Sequence, residues 1–296
     1  MSEAVGAGSV IHDIGYQRYT GPRLGRGYVF GSLYSHALRT AFGLGRSVKA
    51  KLFPWFVIGV VVVAAVVFTA VRAQIDQVIV TYVQFADAMS FLTIFFVAVA
   101  APELVSRDLG SGVLPLYFSR PLRRGDYALA KLAALATAVF LLLAGPQLIM
   151  FIGAAFDTGD GLSGVWREFT DFAPGVAYAG LWAVMYASVA LVIASLTGKR
   201  AFAAGGVVAV FLMTAPIVAT LSVLPSTTAN QLAGLASPAT IVQGTGVWLF
   251  RDQLMTEGDG GDMDIGGFGW LFGLTVVLLV AACVALLLAR YRRVAK

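Results

Sequence analysis

Six long apolar runs, near residues 53–71, 85–103, 132–153, 173–196, 202–224 and 269–289, constrain this chain more than any other feature. Each is continuous and about 20 residues long, enough for an α-helix to cross the roughly 30 Å of hydrocarbon in a bilayer. Strands of a membrane β-barrel would instead alternate apolar and polar residues over roughly 10 positions, and these runs do not. In lipid each backbone N–H and C=O has to be paired inside the protein, which for an isolated run means a helix. Composition agrees, with 58% hydrophobic and only 12% charged residues among 296, against roughly 25% charged in soluble domains. The expected fold class is an all-α polytopic membrane protein with six transmembrane helices in one membrane domain.

The breaks between the runs carry the orientation. With the N-terminus inside, all 21 Lys and Arg residues except Arg72, Arg167 and Arg251 fall on the cytoplasmic side. That is the positive-inside pattern, and it predicts that both termini are cytoplasmic. The net charge of +5 comes from residues flanking apolar runs, so it points to lipid headgroups and topology and not to nucleic acid. Met1 to Ser9 has no basic stretch leading into an apolar one, and the first run is expected to direct insertion itself. Cys283 is the single cysteine, which excludes an intrachain disulfide. His12 and His36 stand apart from any second ligand at metal-binding spacing, so no metal is expected.

The arm over residues 1–52 reads as cytoplasmic. Within it Phe30, Leu33, Tyr34, Ala37, Leu38, Ala41 and Phe42 recur at three- and four-residue spacing, while Arg39, Arg46, Lys49 and Lys51 lie off that stripe. The pattern predicts an amphipathic helix over 28–46 lying along the inner interface, its basic residues wet and its stripe in the bilayer. The same stripe could pack on the bundle, and the two uses are compatible. Pro54 is expected at the start of the first span, where its missing donor costs little.

The break at 103–131 is the most informative one. Glu103, Arg107 and Asp108 suit a short helix on leaving the second span, with Gly110 and Gly112 breaking it and Pro115 limiting its continuation. Beyond it Leu114, Leu116, Tyr117 and Phe118 gather apolar and aromatic surface beside Arg120, Arg123 and Arg124. Such a surface needs cover from a partner, from lipid or from the arm helix. It reads either as an aromatic knob for a partner groove or as a re-entry turn floating at the interface.

These elements resemble the permease subunit of ABC-2-type ABC transporters. The likeness rests on the basic arm, the Glu103-bearing exit from the second span, the stretch Gly112-Val-Leu-Pro-Leu-Tyr-Phe-Ser-Arg-Pro121, and Arg124-Gly-Asp-Tyr127 leading to Lys131. Six spans with both termini inside extend it over nearly the whole chain. The resemblance implies a six-helix permease domain over 53–296, in the plasma (inner) membrane of a bacterium, with a coupling segment at 103–131 that docks on a cytosolic ABC ATPase subunit. It implies that Glu103, Arg107, Asp108, Tyr117 and Phe118 belong to the coupling element, and that Arg120, Pro121 and Arg124 support the return into the third span. A second copy or a related permease would complete the pathway, and export of a hydrophobic or amphipathic substrate is the family's usual task. The chain has no G-x-x-x-x-G-K-[ST] phosphate loop, so ATP and Mg are expected in the partner subunit and no cofactor on this one.

Elsewhere the signals are weaker. The extracytoplasmic loop at 225–268 holds an apolar middle suited to short helices against the outer mouth, then an Asp/Gly-rich stretch that lacks a full calcium-loop pattern. Gly145-Pro146 allows a bend in the third span, and Gln147 beside it suits either a translocation path or a bond to a neighbouring helix. Asp76, Asp87, Asp157, Asp160, Glu168 and Asp171 read as solubilising loop charges outside, with attraction of a cation at the exit as the other use. Two other function classes stay open: a nonenzymatic membrane assembly or sensory component, and an ion-coupled secondary transporter, although no row of intramembrane carboxylates or inverted repeat is evident.

Overall fold

The computed structural model describes residues 21, 24–45, 48–75, 77–112, 114, 117, 122–159, 161–254 and 263–293, apart from the side chains of Lys49, Asp252 and Arg293. Among them the fold is entirely helical. Six helices are long and apolar enough to cross a membrane: Ala50–Ile75, Ser90–Gly110, Arg124–Asp157, Gly161–Leu196, Arg200–Ser222 and Gly269–Arg292. The chain is thus a six-span membrane bundle. His12, Arg46, Asp76, Pro115, Leu116, Phe118, Arg120, Pro121, Asp160 and the Asp/Gly-rich stretch at 255–262 lie outside the described residues.

Helix α1 (Arg26–Ala41) precedes the first span, α2 (Val48–Ile75). The second span is assembled from α3 (Tyr82–Ala88), α4 (Ser90–Leu104) and α5 (Ser106–Gly110), with junctions at Met89 and Val105. Spans three and four are α6 (Arg124–Asp157) and α7 (Gly161–Leu196). Span five is broken at Thr214 into α8 (Arg200–Met213) and α9 (Ala215–Ser222). After α10 (Thr227–Leu232) and a 3-10 turn come α11 (Pro238–Leu249), α12 (Arg251–Leu254) and the last span, α13 (Gly269–Arg293).

The core forms where α4, α6 and α7 pack together. Ala179, Ala183, Ala187, Ala190 and Ala194 repeat at three- and four-residue spacing on α7, and Ala130, Ala134 and Ala138 on α6, all of them buried. Lipid tails are as apolar as leucine, so membrane helices associate through close packing, which such small-residue stripes permit. Around this core α2, α8 and α13 keep most of their apolar surface outward, as a face covered by lipid would.

Two helices are far longer than a bilayer requires. The 34 residues of α6 and 36 of α7 make helices of about 50 Å. The first turns of α6 project at the end of the bundle that carries α1, Lys199 and Arg290, called here the basic end. The first turns of α7 project at the far end. Glu168 and Asp171 therefore stand on a helix, not in the loop expected of them, because the α6–α7 connection is only a short turn. Pro54 likewise lies inside α2, in its second turn, and not at the helix start.

The arm helix forms as its periodicity predicts. Leu33, Ala37 and Ala41 are buried where α1 meets α6 and α4, so the bundle covers the inner face of the stripe, while Arg39 stays exposed. Phe30 and Leu38 are half-buried against the core, Tyr34 donates its hydroxyl to Thr137 at 3.0 Å, and Phe42 packs 6.0 Å from Phe96. At the far end, α11 packs on α13 and α7 and α12 on α3. The hydroxyls of Thr214 and Ser237 are 2.9 Å apart, so after α9 the chain dips back to the level of the break in span five. The short helices thus enter the far half of the bundle and do more than rest on its end.

Candidate functional site at the basic end

The site begins with a break. Val105 leaves helical geometry (φ −125°, ψ −54°) between α4 and α5, and Gly112, at φ +66°, turns the chain after α5. That left-handed conformation costs glycine little and other residues more. Held between these points, α5 touches the turn before α8 closely. A Cβ on Gly110 would lie 2.7 Å from the Gly198 carbonyl oxygen. Ser106, fully buried, donates to the Ala194 carbonyl at 2.7 Å.

Charge fixes α5 to α6. Asp108 accepts from the Tyr127 hydroxyl at 2.7 Å and from the Lys131 ammonium at 3.0 Å. Tyr127 and Lys131 are four apart on α6 and so share a face. Lys131 is buried, and Tyr291 from the last span packs its ring 5.1 Å from that of Tyr127. The half-buried Tyr117 lies 5.8 Å away on the same ring. Burying an ammonium without a partner is very costly, so the carboxylate on α5 is what makes Lys131 tolerable there.

Three further contacts reach into other spans. Glu103 accepts from Arg200 at 2.9 Å, joining spans two and five. Arg290 donates to the Ser195 carbonyl at 2.9 Å and Arg124 to the Arg292 carbonyl at 2.9 Å, tying the last span to α7 and α6. Arg26 on α1 clasps Asp126, its Nη2 donating to Oδ1 at 2.5 Å and its Nε to Oδ2 at 2.6 Å, and that hydrogen-bonded pairing raises the guanidinium pKa above its ordinary value. Of the elements at this end, α1, α5 and the α13 end are thus referenced to α6 and α7, and the start of α8 to Glu103 on α4.

Between α1 and α5 lies an open cleft of about 800 Å³. His36 and Arg39 line one wall, Glu103, Arg107 and Asp108 the other, with Lys131 and Tyr117 between them. Two of the acidic groups are already neutralised by Arg200 and Lys131. The exposed guanidinium groups of Arg39 and Arg107 therefore leave the cleft positive.

Of the residues singled out from the sequence, Glu103, Arg107, Asp108 and Tyr117 come together around this cleft, whereas Arg124, at the start of α6, bonds the end of the last span. Phe118, Arg120 and Pro121 fall outside the described residues. One expectation is corrected: Leu114 is buried and Tyr117 half-buried, so these two members of the apolar surface are covered by the bundle itself. Tyr127 supplies part of that cover, its ring 5.8 Å from that of Tyr117. The sequence reading had no role for Tyr291, Arg26 or Arg200. A clue to the first was available only in its place between Arg290 and Arg292 in the basic C-terminal cluster.

Polar links at the far end hold the spans there. Glu168 accepts two bonds of 2.8 Å from Arg72 and one of 2.5 Å from the Tyr82 hydroxyl. Fully buried Gln147 donates to the Tyr82 carbonyl at 2.9 Å, the bond to a neighbouring helix that its setting allowed. Asp87 accepts from the Tyr178 hydroxyl at 2.6 Å and the Trp182 indole at 3.0 Å. Glu168 and Asp87 are therefore interhelical acceptors and not the solvated loop charges expected from the sequence. Compared with known proteins, the chain matches no family model and no curated protein.

Proposed function

We propose that this chain is the membrane-spanning permease subunit of an ATP-driven ABC transporter of the ABC-2 type, with ATP and Mg bound and hydrolysed by a separate cytosolic polypeptide. The observation that carries the reading is the mounting of α5. It is a short helix at the basic end, beside an open positive cleft, and Asp108 links it to span three while Glu103, just ahead of it, links to span five. A push on α5 from a docked subunit would reach two other spans directly, which is what a coupling element has to do. Arg107 is exposed on α5 and Arg39 faces it across the cleft, and these suit an acidic docking surface.

In this reading the basic end faces the cytoplasm of a bacterium, both termini lie there, and the membrane is the plasma membrane. A second copy or a related permease completes the pathway. The cargo is hydrophobic or amphipathic and the direction is export.

The test is affinity purification of the chain from its native membrane in mild detergent, with mass identification of bound polypeptides and an ATPase assay. A stoichiometric nucleotide-binding subunit whose activity changes in Glu103→Gln or Arg107→Ala supports the reading. A preparation that stays free of any ATPase after crosslinking would move the assignment to a nonenzymatic membrane component.

A further inference from the structure

The open cleft between α1 and α5 does not end at His36. A second cavity, of about 300 Å³, adjoins it, and His36 and Tyr117 line both. On α1 Tyr28, Ser32, His36 and Thr40 stand four residues apart, so one face of the helix walls the two spaces together. They form a single trough that follows α1 from Tyr28 to Thr40, a length of about 18 Å.

Its two ends differ in chemistry. Toward Tyr28 the walls are Val29, Leu33 and Leu122, and no Asp, Glu, Lys or Arg lines this part among the described residues. Toward Thr40, Arg39 and Arg107 face each other, and neither guanidinium has a hydrogen-bond or ion-pair partner among the described residues. The carboxylates of that end are engaged, Glu103 by Arg200 and Asp108 by Lys131 and Tyr127. The trough is therefore apolar at one end and cationic at the other.

Hydrocarbon comes close to the cationic end. Leu44 and Gly45 line the cleft where α1 turns toward α2, and Val48, Leu52, Trp55 and Phe56 on the first turns of α2 are exposed. Surface of the kind that lipid covers thus begins within a turn of the cleft, which sets Arg39 and Arg107 at headgroup level.

We infer that the trough binds one anionic phospholipid, its phosphate between Arg39 and Arg107 and an acyl chain laid along α1 over Val29, Leu33 and Leu122. Guanidinium groups pair with phosphate oxygens in a matched, bidentate geometry, and basic charge next to apolar area is the combination that holds anionic lipid. An acidic peptide would satisfy the two arginines but leave the groove at Leu33 and Leu122 unfilled. Lipid binding needs no ATPase, so it stands or falls apart from the transporter reading. In that reading a docked subunit draws on the same two arginines and has to displace the phosphate.

The experiment places the full chain in phosphatidylcholine nanodiscs with a phosphatidylglycerol that carries a diazirine on its acyl chain, followed by photo-crosslinking and peptide mass mapping. Label is expected at 28–33 and at 122, with half-saturation weakened roughly tenfold in the double variant Arg39→Gln, Arg107→Gln and largely recovered with Lys at both positions. Ser32→Trp, at an exposed position of α1, should fill the groove and lower the label without changing charge. Phosphatidylcholine bearing the same diazirine should label these positions only weakly, and neither inorganic phosphate nor hexaglutamate should compete. Equal labelling by the phosphatidylcholine probe, or unchanged half-saturation in the double Gln variant, overturns the site. Full competition by hexaglutamate also overturns it and assigns the cleft to an acidic protein segment.

Discussion

The Lys131 ammonium lies 3.0 Å from the Asp108 carboxylate, with only 4% and 14% of the two side chains exposed. A buried ion pair of this kind adds little net stability compared with an apolar pair of the same shape, but losing one partner strands the other. Its contribution is therefore register: it states where α5 sits on α6.

Lys131→Met should destabilise the chain by about 3–5 kcal/mol, the usual cost of stranding a buried charge. Adding Asp108→Leu should return much of that loss. Thermal unfolding in detergent of the two single variants and the double variant gives the coupling directly. Additive losses would mean that the pair is not the link described.

At the far end Glu168 serves two helices at once, accepting from Arg72 on α2 and Tyr82 on α3. Glu168→Gln should cost about 2 kcal/mol, in the range of bonds to charged groups, and Tyr82→Phe about 1 kcal/mol. Equilibrium unfolding of both variants, with Arg72→Met as a third, checks the order of these losses.

A methyl group at position 110 meets the Gly198 carbonyl oxygen at 2.7 Å, whereas one at Gly205 meets nothing within 4 Å. Helical Gly→Ala alone gains up to about 1 kcal/mol. Gly205→Ala should therefore be neutral or stabilising, and Gly110→Ala should displace α5. Hydrogen exchange over 106–112 is the measurement: faster exchange is expected in Gly110→Ala and none in Gly205→Ala.

Orientation can be read by labelling. In a background of Cys283→Ala, cysteines placed at Leu162, 89% exposed, and at Lys199 should react with a membrane-impermeant maleimide from opposite sides. Leu162→Cys is expected to label in intact cells and Lys199→Cys only after permeabilisation. The reverse pattern would invert the topology.

Number and type of spans were legible before any coordinates, because hydrocarbon thickness and backbone pairing act on each segment alone. The arm helix was legible too, since the spacing of Leu33, Ala37 and Ala41 is a local property. Harder to see was what covers a face: Tyr117 looked exposed until Tyr127, from the third span, was placed beside its ring. Glu168 read as a loop charge because helix ends beyond the apolar runs carry no hydropathy signal, and Asp87, at the start of the second run, because its donors Tyr178 and Trp182 lie 91 and 95 positions away.

Residue chemistry along the chain was thus enough for six helices, the arm helix and the break after span two. Tertiary packing alone chose the partners: Asp108 for Lys131, Glu168 for Arg72 and Asp126 for Arg26, the last two 96 and 100 positions apart. A hydrophobic run specifies that a helix is buried in lipid but not its rotation or its neighbour. Those depend on how all six helices fit at once, and only then does a charge acquire the group that neutralises it.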